Sequence, residues 1–116
     1  MARAYARWGG AALVALGVGG LFAGRAVLAL NSEFLVDLLY LVAGGILNWA
    51  GARGTSAQVT RWTRIAAAGF LMWGVAGFIA PDVYGVFSQE MSLLDNILHL
   101  LIGAVGTWIG WRGQPA

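Results

Sequence analysis

Four apolar runs set the terms for everything this chain can fold into. They are Trp8–Gly24, extending to about Leu30; Phe34–Ala52; Ile65–Ala80, stopped by Pro81; and roughly Leu93–Trp111. A helix needs about 20 residues, at 1.5 Å each, to cross about 30 Å of hydrocarbon. The uncharged cores are shorter, about 15–17 residues, and flanking arginines that snorkel to the interface make up the difference. The rest of the composition agrees. The chain of 116 residues is 59% hydrophobic and 10% charged, where a soluble domain averages about 25% charged. A water-soluble bundle would need polar faces that are not there. The expectation is one all-α integral membrane domain over 1–116, with four transmembrane helices.

The arginines predict orientation. Every basic residue is Arg. Arg3 and Arg7 precede the first run, Arg53, Arg61 and Arg64 flank the connection between the second and third, and Arg112 follows the fourth. Only Arg25 lies on the other side, with Glu33, Asp82 and Glu90. That asymmetry puts both termini in the cytoplasm. Trp8, Trp49, Trp62, Trp108 and Trp111 gather toward the same ends as an interfacial belt, and Trp73 sits mid-span. Arg3, Arg7, the apolar core and "FAGRA" look like a secretory leader, but the first run has a counterpart later in the chain and is expected to be retained.

That counterpart comes from an internal duplication. "DLLYLVAGGILNWAGARG" (37–54) lies over "NILHLLIGAVGTWIGWRG" (96–113) at a shift of 59. Leu39, Leu41, Gly44, Trp49, Gly51, Arg53 and Gly54 recur as Leu98, Leu100, Gly103, Trp108, Gly110, Arg112 and Gly113. The first helices align at a shift of 57, with Arg7, Gly17, Val18 and Gly20 matching Arg64, Gly74, Val75 and Gly77. The unit is a helical hairpin used twice, 1–54 and 58–116. Both copies enter from the same side, so they form a parallel repeat about an axis near the membrane normal, unlike the inverted repeats of many transporters.

Each copy carries one helical stripe. At 100° per residue, Asp37, Tyr40, Gly44, Asn48 and Gly51 share an arc of about 80°, as do Asn96, His99, Gly103, Thr107 and Gly110. Glycines 17, 20 and 24, and 74 and 77, add small surface on the other two helices. Membrane helices associate through close packing at small residues and through interhelical hydrogen bonds, because lipid is as apolar as leucine. The stripes are therefore expected to face inward, with Gly44, Gly51, Gly103 and Gly110 packing helices together. The second and fourth helices are expected to face each other, gathering Asp37, Tyr40, Asn96 and His99 into one polar cluster.

Asp95 reads as the N3 member of a capping box, "SLLD" (92–95), with Ser92 as N-cap. Asn96 and Asp37 read as structural hydrogen-bonding groups near the outer interface. His99, the only histidine, reads first as a neutral imidazole bonded to Asp37 or Tyr40. It could instead be the axial ligand of a cofactor, a haem or a chlorophyll, or part of a proton relay with Asp37. Two histidine ligands to one haem within this chain are excluded. A zinc or di-iron site is not expected, because helix-bundle di-iron centres need several Glu and His side chains.

"NILHLLIG" carries an Asn-x-x-His-x-x-x-Gly motif as Asn96, His99 and Gly103, once in each hairpin if Asp37, Tyr40 and Gly44 are its altered first copy. In this the chain resembles the bacterial membrane family catalogued as domain of unknown function 4383, over nearly its whole length. The resemblance implies a four-helix membrane fold. If that family has a paired-histidine site, Tyr40 stands where one histidine would be.

Function is narrowed by elimination. No nucleophile with a base, no metal constellation and no phosphate loop is present, so no enzyme is expected. Small multidrug transporters are four-helix chains of similar length resting on a glutamate in the first helix, and the first and third runs here contain no acid. Small-solute or proton transport is thus a secondary expectation. The leading one is an accessory or scaffold subunit of a larger respiratory or photosynthetic complex in a bacterial cytoplasmic (inner) membrane. Its partners would be lipids and other membrane subunits or itself, with no nucleic acid.

Overall fold

The computed structural model describes residues 2–23, 34–80, 85 and 93–112, and these are helical apart from two short connecting stretches and Gly85. Helix α1 occupies 2–23. It starts as α-helix at Ala2–Ala4, passes through a π-helical segment at Tyr5–Gly9, and continues as α-helix over Gly10–Ala23. Ala4 and Gly10 both keep right-handed helical dihedrals, so the rod is continuous. Helix α2 is Phe34–Arg53, α3 is Ser56–Ile79 and α4 is Leu93–Arg112.

Three of these helices are long and apolar enough to cross a membrane: Leu35–Arg53, Ser56–Ile79 and Leu93–Trp111, with mean hydropathies of 1.5, 1.3 and 1.4. Helix α3 starts nine residues before the apolar run that announces it. Thr55 explains the difference. It takes extended dihedrals, its side chain accepts from the Gln58 backbone N–H at 3.2 Å, and Gln58 Oε1 accepts from the Thr55 backbone N–H at 2.8 Å. This reciprocal cap satisfies two of the free N–H groups of the first turn. Polar Gln58, Thr60, Arg61 and Thr63 are therefore helical. At the far end Ala80 leaves helical geometry, as expected of a residue before proline.

The seams that hold the helices are built from glycine. Helix α1 packs along α2, and α3 along α4. A Cβ on Gly44 would stand 2.6 Å from Gly10 O and 2.7 Å from Val14 N; one on Gly103 would stand 2.6 Å from Leu71 N. Both positions put backbone against backbone, which no larger side chain allows. Gly51 likewise abuts the Arg7 backbone, while Gly110 is looser, with Arg64 Cγ at 3.0 Å. This corrects one expectation. The glycines of each stripe do not meet across the molecule; they seat each helix against its own hairpin partner. Only the polar part of the stripe reaches the other copy.

The two copies meet at both ends. At the end carrying most arginines, called here the arginine end, the start of α1 touches α3. Ala2 and Ala6 are buried there, as are Val59 and Thr63, which occupy the matching positions of the second copy. Side chains cap the helices at this end. Arg3 Nη1 and Nη2 donate to Gly51 O and Gly54 O at 3.1 Å each, and Arg64 Nε donates to Gly110 O at 2.7 Å. Guanidinium groups are favourable there because the C-terminal carbonyls of α2 and α4 have no helical partner and carry partial negative charge. Asn48 Nδ2 donates to Arg7 O at 2.8 Å, tying α2 to α1.

Polarity runs inside-out. Phe22, Met72, Ile79 and Trp8 are 87, 72, 68 and 67% exposed, whereas Asp37, Asp95, Asn96 and His99 are all buried. A fold that hides its polar groups and presents large apolar side chains fits hydrocarbon rather than water.

Candidate functional site: a buried Tyr–His bridge between the copies

The buried polar groups collect at the end opposite the arginines. Helix α2 supplies Asp37 and Tyr40, one turn apart, so both point to the same side. Helix α4 supplies Asp95, Asn96 and His99, with Asp95 one turn before His99. The Tyr40 hydroxyl and His99 Nε2 are 2.7 Å apart. Their separation of 59 residues equals the shift between the copies, so equivalent positions of the repeat meet here. Helices α2 and α4 each lie against α1 or α3; between themselves they are bridged by these long side chains.

Helix α3 builds the wall behind the bridge. The Trp73 ring stacks on the His99 imidazole at 3.9 Å between centroids and 23° between planes, and Phe70 lies 5.7 Å away. Tyr40 in turn lies 5.6 Å from Trp73 and 6.4 Å from Phe70. The result is a four-ring block. His99 and Asp95 are 0% exposed and Tyr40 1%. Helix α1 contributes a space rather than a side chain: Gly20 faces the Asp37 carboxylate so closely that any Cβ would collide with it.

Both carboxylates lie near enough for their charge to act on Tyr40, and Asp95 acts also on His99. The cluster therefore runs Asp95, His99, Tyr40, Asp37 from one copy to the other. His99 Nδ1 and Asn96 Oδ1 are buried without a hydrogen-bond partner among the described residues. In an apolar surrounding an unmade bond of this kind costs about 1–3 kcal/mol, so these two atoms mark where the network is incomplete. If Tyr40 donates to Nε2, the proton of the neutral ring sits on Nδ1.

Cofactor ligation through His99 meets a steric objection in this arrangement. Nε2 already bonds Tyr40, and Trp73 covers a face of the ring. A haem or chlorophyll would have to displace both. Among the described residues no three His, Asp or Glu side chains group to hold a metal ion.

The structure thus brings together Asp37, Tyr40, Asn96 and His99 as one buried neighbourhood and adds Asp95, Phe70 and Trp73. Ser92, the suggested cap of α4, lies outside the described residues, as do Gly24, Arg25, Glu33, Asp82 and Glu90; Asp95 itself is buried beside His99. The aromatic wall had a faint signal. Phe70 and Trp73 share a face with Gly74 and Gly77 at helical spacing, but apolar residues in an apolar run carry no contrast. No family model, curated protein or solved structure matches this chain.

Proposed function

We propose that this chain is a multi-pass protein of a bacterial inner membrane, with four spans and both termini cytoplasmic. It acts as a non-enzymatic accessory or scaffold subunit of a larger respiratory or photosynthetic complex. The observation that carries the reading is the inversion of polarity: the hydrogen-bonding groups are turned inward onto one another, and the outer surface is large apolar side chains. Such a molecule has lateral contacts as its means of action. The cluster then serves as a tie that fixes how the two hairpins sit together, with interhelical bonds worth about 0.6–2 kcal/mol each. The resemblance to domain of unknown function 4383 supports the four-helix form through Asn96, His99 and Gly103.

Purification in a gentle detergent followed by mass spectrometry tests this. Recovery with a reproducible set of respiratory or photosynthetic subunits is expected. Recovery of the chain alone, under conditions that keep such complexes whole, would refute the accessory role.

A second reading has one observation in its favour. Asp95, His99, Tyr40 and Asp37 form a titratable chain across the two copies, which is the material of a proton relay. Reconstituted vesicles would show a proton flux that Asp95→Asn abolishes; equal flux with and without the protein would end this reading.

A further inference from the structure

The four helices do not close on all sides. Pairs α1–α2, α2–α3 and α3–α4 pack along one another, but α1 and α4 are joined at the arginine end only. The junction there is made by the π-helical turn. It aims Tyr5 across the gap, where its hydroxyl donates to Ile102 O at 2.8 Å and sits over Gly106. Away from Tyr5 the seam opens into a crevice of about 150 Å³. Its walls include Gly9, Leu13 and Leu16 of α1, and Leu98 and Ile102 of α4. From Tyr5 to Leu16 it follows α1 for about 16 Å.

The duplication shows why a space exists here. The residues matching Leu13 and Leu16 in the second copy are Phe70 and Trp73, the rings that fill the α2–α3 side. Aliphatic side chains at the same positions leave the α1–α4 side unfilled. Several lining residues are half-buried, so the crevice opens onto the apolar exterior. An unfilled apolar void forfeits dispersion contacts along its walls, and a helix about 10 Å across is too wide to enter a space of 150 Å³. A single hydrocarbon chain is not.

Charge at the mouth says what the chain is attached to. Arg7, Arg53, Arg61 and Arg64 are exposed at the arginine end. None of the five acids lies in 2–9, 48–64 or 104–112, the segments that form it. Arg7 leans on the Trp8 ring at 5.3 Å, on the same helix as Tyr5. The positive charge is left without a protein counter-charge, and a lipid phosphate supplies one.

We infer that the α1–α4 crevice seats one acyl chain of an anionic phospholipid, with its phosphate held at the arginine end near Arg7. Hydrocarbon gains little by leaving hydrocarbon, so the tail provides fit and the headgroup provides preference. The inference rests on the membrane placement proposed above.

Native mass spectrometry of the detergent-solubilised full chain, with phosphatidylglycerol or phosphatidylcholine of identical chains added, tests it. The wild type is expected to hold one phosphatidylglycerol at least fivefold more tightly than phosphatidylcholine. Arg7→Gln should lower that preference about fivefold. Leu13→Phe with Leu16→Trp, which installs the second copy's residues, should plug the crevice and remove the adduct; Leu98→Phe, a milder plug from the opposite wall, should weaken it if the double variant fails to fold. Undiminished binding in a folded plugged variant overturns the site, and so does equal affinity for the two lipids. A wild-type dimer that the plug converts to monomer also overturns it, by assigning the crevice to a second copy. A chain that stays soluble without detergent would instead remove the membrane placement itself.

Discussion

The first hairpin and the second share a skeleton and differ in what they place on it. Both use glycine where helix meets helix: Gly44 against Gly10 in one, Gly103 against Leu71 in the other. Both bring a guanidinium to the end of the second helix, although the first copy uses Arg3 and the second Arg64. Where the copies face each other they part company. The second supplies an imidazole, an indole and a phenyl ring; the first supplies a phenol and two leucines. Backbone contact leaves no latitude, so those positions are kept. Side-chain contact between copies has only to be complementary, so those positions have separated.

The sharpest way to break this comparison is to enlarge the seam glycines. Gly44→Leu and Gly103→Leu should each cost about 3 kcal/mol or more, since both push side-chain atoms into backbone. Thermal melts in detergent would read the loss, and a tolerant Gly44 would mean the first seam is not built as described. Next comes the bridge. Tyr40→Phe leaves His99 Nε2 buried and unbonded, at a cost of about 1–2 kcal/mol. Replacing His99 by Leu as well should recover part of that, and strictly additive losses would show that the two side chains do not interact. Arg3→Gln should cost about 1 kcal/mol by uncapping α2; Arg64→Gln, which gives up one bond instead of two, should cost less. The smallest effect belongs to Gly45. Nothing lies within 4 Å of its missing Cβ, so Gly45→Ala should stabilise by about 0.5–1 kcal/mol through helix propensity.

The duplication, the helix count and the inward face of 37, 40, 96 and 99 can be read from spacing because polar residues stand out in a greasy run. Three other features resist such reading, each for its own reason. Hydropathy places the start of α3 at Ile65, whereas a capping box places it at Ser56. That signal, Thr55 and Gln58 three apart, was present but belongs to local chemistry rather than to polarity. The π-turn at Tyr5–Gly9 has no sequence mark, because it answers to a tertiary demand: the Tyr5 hydroxyl must reach Ile102 O. Asp95 looks like a helix cap by its position in the first turn, yet its place beside His99 depends on how α4 is rotated against α3. Arg3 and Arg64 read as snorkelling charges, and only three-dimensional proximity turns them into caps.

One consequence follows from the unlike pair at the heart of the molecule. Tyr40 and His99 hold matching places in sister units, but a phenol beside a phenol, or an imidazole beside an imidazole behind one indole wall, would not fill the same room. Two identical hairpins therefore cannot reproduce the assembly. Divergence has made the halves interdependent, so that a chain cut at its short Gly54–Thr55 link should reassemble from one of each sort and from no two alike.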